Sequence, residues 1–253
     1  MMPSVRLDLD GPVARITLNR PEVLNAGDPG WVAELTDVVA RVGALRDLRV
    51  AVITGAGRAF STGVDLRSLA GGEMTLPHFV AWEDAMTAIE RMSLPFIAAI
   101  NGHCLGGGLQ LALVCDYRLA AADAVIGLPA VKECLIPSMA LYRLPRLIGA
   151  ARAREMILTG EPISAARAEQ VGLVNRVVPA SELPRALDEC IGCFLALPAT
   201  SVGVSKHLLA RAFDLPFDAF RREMEAGFRL CLDSAEHHAA MDEIRRRRIG
   251  PAR

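Results

Sequence analysis

FIAAINGHCLGGGLQLALVCDYRLAA, residues 96–121, is the stretch whose reading decides the fold. Phe96 to Ile100 is a short apolar run behind Pro95, too short for a helix and bounded like a buried strand. Gly107 to Cys115 has helical character, and Tyr117 to Ala121 returns to a strand. Between the first strand and the helix stand Gly106, Gly107 and Gly108. Three residues without a Cβ let the backbone approach a ligand closely, while the first turn of the helix leaves N–H groups unpaired. Such a turn binds oxyanions. Close helix packing is the other use of such glycines, and the G-x-G-x-x-G and G-x-x-x-x-G-K-[ST] nucleotide spacings are absent.

Working outward, the same device recurs. Val50 to Ile53 is a β-branched run closed by Gly55 and Gly57, and RAFSTGVDL at 58–66 makes a second strand-to-helix turn. Trp31 to Leu45 and His78 to Met92 carry apolar residues at helical spacing. Val5 to Leu9 and Val13 to Leu18 alternate around Asp10-Gly11, which predicts an antiparallel hairpin. Strands alternating with helices indicate an α/β fold with largely parallel pairing. A second helical block is expected from Leu141 through Gly172, a last strand over Val174 to Val178, and helices after Pro179 with breaks near Pro198 and Pro216. We expect a core over 1–195 and a helical region over 196–253, whose Leu208, Phe213, Phe217, Phe220, Phe228 and Leu230 need cover from a neighbouring subunit. The Arg245 to Arg248 run reads as a solvated helix end.

The bulk properties exclude several classes. The 253 residues, 52% of them hydrophobic, can fill a sizeable core. A net charge of -1 provides no field to draw the chain onto nucleic acid or an anionic membrane. Charges at Arg6, Asp8, Asp10 and Arg15 interrupt any signal peptide, and the longest apolar runs fall short of the roughly 20 residues of a membrane span. The expected location is cytoplasmic. The six cysteines fit reduced, mostly buried thiols, and Cys190-x-x-Cys193 has no second pair or spaced histidines for a metal, so core packing is its expected role.

Taken in order, LNRPEVLNA (18–26), AFSTGVDL (59–66), NGHCLGGGLQLALVCDYRLAAADAVIGLP (101–129) and LTGEPISAARAEQVGLVNRVVP (158–179) resemble the crotonase, or enoyl-CoA hydratase/isomerase, superfamily. The likeness runs over roughly residues 5–180. It implies a spiral of repeated β-β-α turns, C-terminal helices that form a homotrimer or a dimer of trimers, and an acyl-CoA thioester as ligand. Coenzyme A is then part of the substrate, with no separate cofactor. The resemblance implies an oxyanion hole from the backbone N–H groups of Val64 and Gly107. It implies contacts to the adenine and pantetheine arm from Val23, Leu24, Asn25 and Ala26 and from 59–64 with its neighbours, including Ala59, Ser61, Gly63, Asp65 and Leu66. Gly106 belongs to the turn of Gly107, and Arg67 and Lys206 are weaker candidates for the CoA phosphates.

Three departures define this chain as a divergent member. The two catalytic glutamates of the family's hydratases fall on Gln110 and Ala130. Adding water to an enoyl double bond needs a base and an acid, and neither residue can be one at neutral pH. The 136–144 segment carries Met139, Leu141 and Tyr142 where hydratases have glycines, which implies a reshaped acyl pocket. Glu133 is the leading replacement acid or base, followed by Tyr142 and His78. Asp65 and Asp116 read as capping or bridging groups, His103 as structural, and Ser138 has no nearby histidine and acid to make it a nucleophile. Two functions remain open: an enzyme of the family with isomerase, decarboxylase or hydrolase-like chemistry, or an inert acyl-CoA carrier.

Overall fold

The computed structural model describes residues 2–249. The chain opens with the hairpin β1 (Val5–Asp10) and β2 (Val13–Leu18), then α1 (Pro29–Ala44) and β3 (Val50–Gly55). Three turns of a spiral follow. The first is completed by β4 (Ala59–Ser61), α2 (Leu66–Ala70) and α3 (Leu76–Arg91). The second contains β5 (Phe96–Ile100), β6 (His103–Leu105) and α4 (Gly107–Leu113). The third has β7 (Tyr117–Ala121), β8 (Val125–Gly127), a 3-10 turn over Pro129–Glu133, then α5 (Ala140–Ile148) and α6 (Ala150–Thr159). β9 (Ile163–Ser164), α7 (Ala165–Gln170), β10 (Arg176–Val178) and α8 (Leu183–Leu195) close the core. The chain then runs through α9 (Ala199–Arg211), α10 (Phe217–Leu232) and α11 (Ala235–Ile249).

The strands form two sheets. The six-stranded sheet has the order β1-β2-β3-β5-β7-β10, parallel apart from the β1–β2 hairpin. The four-stranded sheet, β4-β6-β8-β9, takes one short strand from each turn. The crotonase-like α/β spiral expected from the sequence is therefore present, but the second sheet was not legible in it. The 158–172 region is likewise not one helical block, because β9 pairs with β8 inside it.

Packing explains the apolar runs. Every residue of β5 is buried: Phe96, Ala98 and Ile100 face α1 and α3, whereas Ile97 and Ala99 face the layer made by α8. A central parallel strand with both faces covered has no solvent side to mark with polar residues. Leu183, Ala186, Leu187 and Ile191 of α8 close that second layer. α1 starts where Asp28 accepts from the Trp31 N–H at 2.8 Å, with Pro29 in its first turn.

Of the six cysteines only Cys104 and Cys115 are fully buried; Cys190 and Cys231 are partly covered, and Cys134 and Cys193 are exposed. The C-x-x-C pair is thus half surface rather than core. No group of residues suited to a metal occurs among the described residues. Nor is any single helix among them long and apolar enough to cross a membrane. Arg245, Arg246 and Arg247 pair with Asp242 and Glu243 on α11, as a solvated helix end does; the Arg248 side chain lies outside the described residues.

Candidate active site

Two turns meet at one place, and local chemistry puts them there. Leu24 and Asn25 both hold left-handed backbone at φ 57°. The buried Asn25 side chain fixes that kink: its Oδ1 accepts from the Arg20 N–H at 2.8 Å, and its Nδ2 donates to the carbonyls of Ala56 and Ala59 at 3.0 and 2.8 Å. Ser61 Oγ donates to the Asn25 carbonyl at 2.8 Å. The Gly27 N–H then donates to Gly63 O, and the Asp65 N–H donates to Gly27 O. This bridge engages the residues either side of Val64 and leaves the Val64 N–H without a protein acceptor among the described residues.

The second turn is Gly106, at φ 52° and ψ -122°, a backbone conformation essentially reserved for glycine. Its N–H donates to Gly127 O at 2.9 Å, so that Gly107 becomes the first residue of α4. A first helical N–H has no acceptor within its helix. A Cβ built on Gly63 would lie 2.6 Å from Gly107 N, which measures how closely the two turns touch.

Val64 and Gly107 line a cleft of about 120 Å³. Phe79, Trp82 and Met86, one face of α3, form one apolar wall. Ala130, Glu133, Leu135, Ile136 and Ser138 also line it, with Thr62, Leu66, Gly106, Gln110 and Pro129 completing the lining. Trp82 is braced by Trp31, with ring centroids 4.8 Å apart. Larger grooves of about 670 and 460 Å³ lie along α9, but neither reaches a glycine turn.

Glu133 is the one ionisable side chain lining this cleft, and it is exposed at the end of the 3-10 turn. Gln110 is 9% exposed, and its Oε1 has no hydrogen-bond partner among the described residues. Ser138 does have an acid partner: its Oγ donates to Glu83 Oε2 at 3.1 Å, from a residue 55 positions earlier. Burial pushes the Cys104 thiol far above its ordinary range and the Cys115 thiol up to about 12, which leaves both unreactive.

The structure therefore gathers Val64, Leu66, Gly106, Gly107, Gln110, Ala130 and Glu133 in one cleft. The other residues expected to contact the ligand lie outside this lining. Asn25, Ala59 and Ser61 are fully buried and serve as scaffold beneath the turn, as do the buried Ala26 and Gly63. Val23 and Leu24 are half-buried outside the lining. Asp65 Oδ1 accepts from the Arg67 and Ser68 N–H groups at the start of α2, and its other oxygen pairs with Arg20. The Arg67 side chain is exposed outside the lining. Lys206 is 8% exposed and directs its ammonium to Asp116 and to the carbonyls of Ile89 and Leu94, which leaves it no free donor for a phosphate. Met139 is exposed beside α5; Tyr142 donates to Asp214 under a stacked Arg146. Neither lines the cleft. His78 caps α3 through Thr75, and His103 is half-buried in β6.

Sequence reasoning missed the α3 wall and the Ser138–Glu83 contact. Helical spacing identified Phe79, Trp82 and Met86 as an inward face but not what they face, and no local pattern joins positions 55 apart.

The profile of the enoyl-CoA hydratase/isomerase family matches residues 9–239. The chain is 39% identical over 231 residues to (E)-benzylidenesuccinyl-CoA hydratase of Thauera aromatica, covering 85% of each. Among solved structures it is similar to an enoyl-CoA hydratase from Bacillus anthracis, with a TM-score of 0.91, 30% identity and 96% of both chains covered. An enoyl-CoA hydratase from Mycobacterium smegmatis superposes with a TM-score of 0.92 at 27% identity, over 97% of both chains.

Proposed function

The chain belongs to the enoyl-CoA hydratase/isomerase family, and on that premise we propose that it processes an acyl-CoA thioester in this cleft without being a standard hydratase. The observation that carries this reading is the pair of unengaged N–H groups, on Val64 and Gly107, at one cleft with a single ionisable side chain. Two preorganised donors on a thioester oxygen stabilise the enolate that forms when the α-carbon loses a proton, typically by a few kcal/mol. The apolar walls of Phe79, Trp82 and Met86 suit the acyl group and keep water away from the charge. Coenzyme A arrives with the substrate, and no further cofactor is invoked.

Hydration lacks its acid and base. Gln110 and Ala130 occupy the two glutamate positions, so the reading is a one-acid reaction: double-bond isomerisation, decarboxylation or thioester hydrolysis, with Glu133 moving the proton. A second reading, an inert acyl-CoA carrier, is favoured by the same two substitutions and by the exposure of Glu133. In either case residues 196–253 act as the oligomerisation region of a cytoplasmic homotrimer or dimer of trimers.

The test is deuterium exchange. Saturated acyl-CoA incubated in D2O with the protein should gain deuterium at the α-carbon, and Glu133→Gln should abolish it. Hydration of crotonyl-CoA should be slower than that of an ordinary hydratase by orders of magnitude, since each missing group is commonly worth about 10² to 10⁴ in rate. Tight binding without exchange selects the carrier. Hydration at an ordinary rate would refute the assignment of Gln110 and Ala130.

A further inference from the structure

Ser138 stands in the cleft wall at φ 38°, left-handed backbone that a residue with a Cβ rarely holds. Its hydroxyl donates to the Glu83 carboxylate at 3.1 Å, and the Glu83 side chain is 15% exposed. The other oxygen of Glu83 accepts from Thr87 Oγ1 at 3.3 Å and faces Arg143 Nη1 at 2.7 Å. Arg143, with a side chain 6% exposed, turns its Nε and Nη2 onto Glu90 at 3.0 to 3.2 Å. Two carboxylates thus share one guanidinium. The ionised cluster keeps one negative charge more than it neutralises, under a cleft wall and one hydroxyl away from it.

We propose that Ser138 and Glu83 form a relay that makes Ser138 a second proton-transfer group of the site. The proposal rests on the acyl-CoA reading above, in which Glu133 serves the α-carbon; the relay serves the γ-carbon of a 2-enoyl-CoA. Ser138 Oγ takes the γ-proton as its own proton passes to Glu83 Oε2. The C–H electron pair moves through the double bond onto the thioester oxygen, held by the Val64 and Gly107 N–H groups. A Glu133 that enters protonated delivers its proton to the dienolate at the α-carbon, which gives the 3-enoyl thioester and leaves Glu133 ionised and Glu83 protonated; the reverse sequence returns both protons and regenerates the starting compound. Arg143 acts only as a positioning residue that fixes Glu83.

The test incubates the full-length protein in D2O with but-3-enoyl-CoA, whose α-protons are acidic without the relay, and reads α- and γ-deuterium by mass spectrometry and NMR. Wild type should label both carbons. Glu83→Gln still offers Ser138 an acceptor oxygen and keeps a neighbour for Arg143, yet cannot take a proton, so a purely structural role would survive it. It should lower the γ-to-α labelling ratio at least tenfold, and Ser138→Ala should do the same. Ser138→Gly removes the hydroxyl while relieving the left-handed backbone, so it keeps the test valid if Ser138→Ala or Glu83→Gln folds poorly. A ratio within about twofold of wild type in Ser138→Gly overturns the relay and leaves the Glu133 reading standing. So does a wild type that labels the α-carbon alone. No labelling at either carbon overturns both.

Discussion

Gly107 has no room for a side chain. A Cβ there would sit 2.6 Å from Trp82 Cη2, and Trp82 cannot retreat because Trp31 lies behind it. The glycine therefore serves two ends that pattern reading had set against each other: it packs against α3 and it presents an N–H to the cleft. Gly107→Ala should cost about 1–3 kcal/mol, the usual penalty for forcing extra volume into a packed site, and should displace the N–H proposed to hold the thioester oxygen. Urea unfolding beside the α-deuterium assay checks both, and a variant of unchanged stability would show that the wall yields. Residues 59–66 were legible as a ligand-facing turn from their glycine. The individual contacts were not, because Ser61 and Asn25 turn their polar atoms inward to each other.

The C-terminal elements are joined by polar clasps that no single helix encodes. Glu236 on α11 accepts from the Ala199 and Thr200 N–H groups at 2.8 and 2.9 Å, and so caps the start of α9 from another helix. The Thr200 N–H, then its side chain and the Ala199 N–H, hold the carboxylate below its ordinary range. A carboxyl depressed in the folded state stabilises fully above its unfolded value, about 4.3, and the gain is lost as pH falls through the folded one. Thermal melts of wild type should therefore converge on those of Glu236→Gln as the pH drops from about 5 into the acid range, and differ most near neutrality. A pH-independent difference between the two would refute the clasp. Lys206 makes the companion clasp between α9 and Asp116 in the core, which is why the position that looked like a phosphate contact is occupied from within.

Across the whole molecule, apolar surface is concentrated where the chain leaves its core. Leu209, Phe213, Phe217, Phe228 and Leu230 are each at least 62% exposed on or between α9 and α10, against a core whose large side chains are almost wholly buried. Large exposed apolar side chains concentrated in one region of the chain mark an association face. Light scattering should give three or six times the 27.1 kDa chain mass, and Phe217→Glu with Phe228→Glu should shift that mass downward. A wild-type monomer would sink the assembly.

What the sequence determined by itself is whatever short-range chemistry decides: β5 and β7 to the residue, the hairpin and the two glycine turns. Strand length, chain reversal and the absence of a Cβ act over a few neighbours, so they can be read in a line. The tertiary structure alone decided the second sheet, whose strands of two and three residues exist only through their partners. It also set the cleft wall from α3, the inward turn of Lys206, and the carboxylate behind Ser138. Each depends on which residues the spiral stacks side by side, tens of positions apart in the chain, and that information lies in the packing of the turns rather than in any one of them.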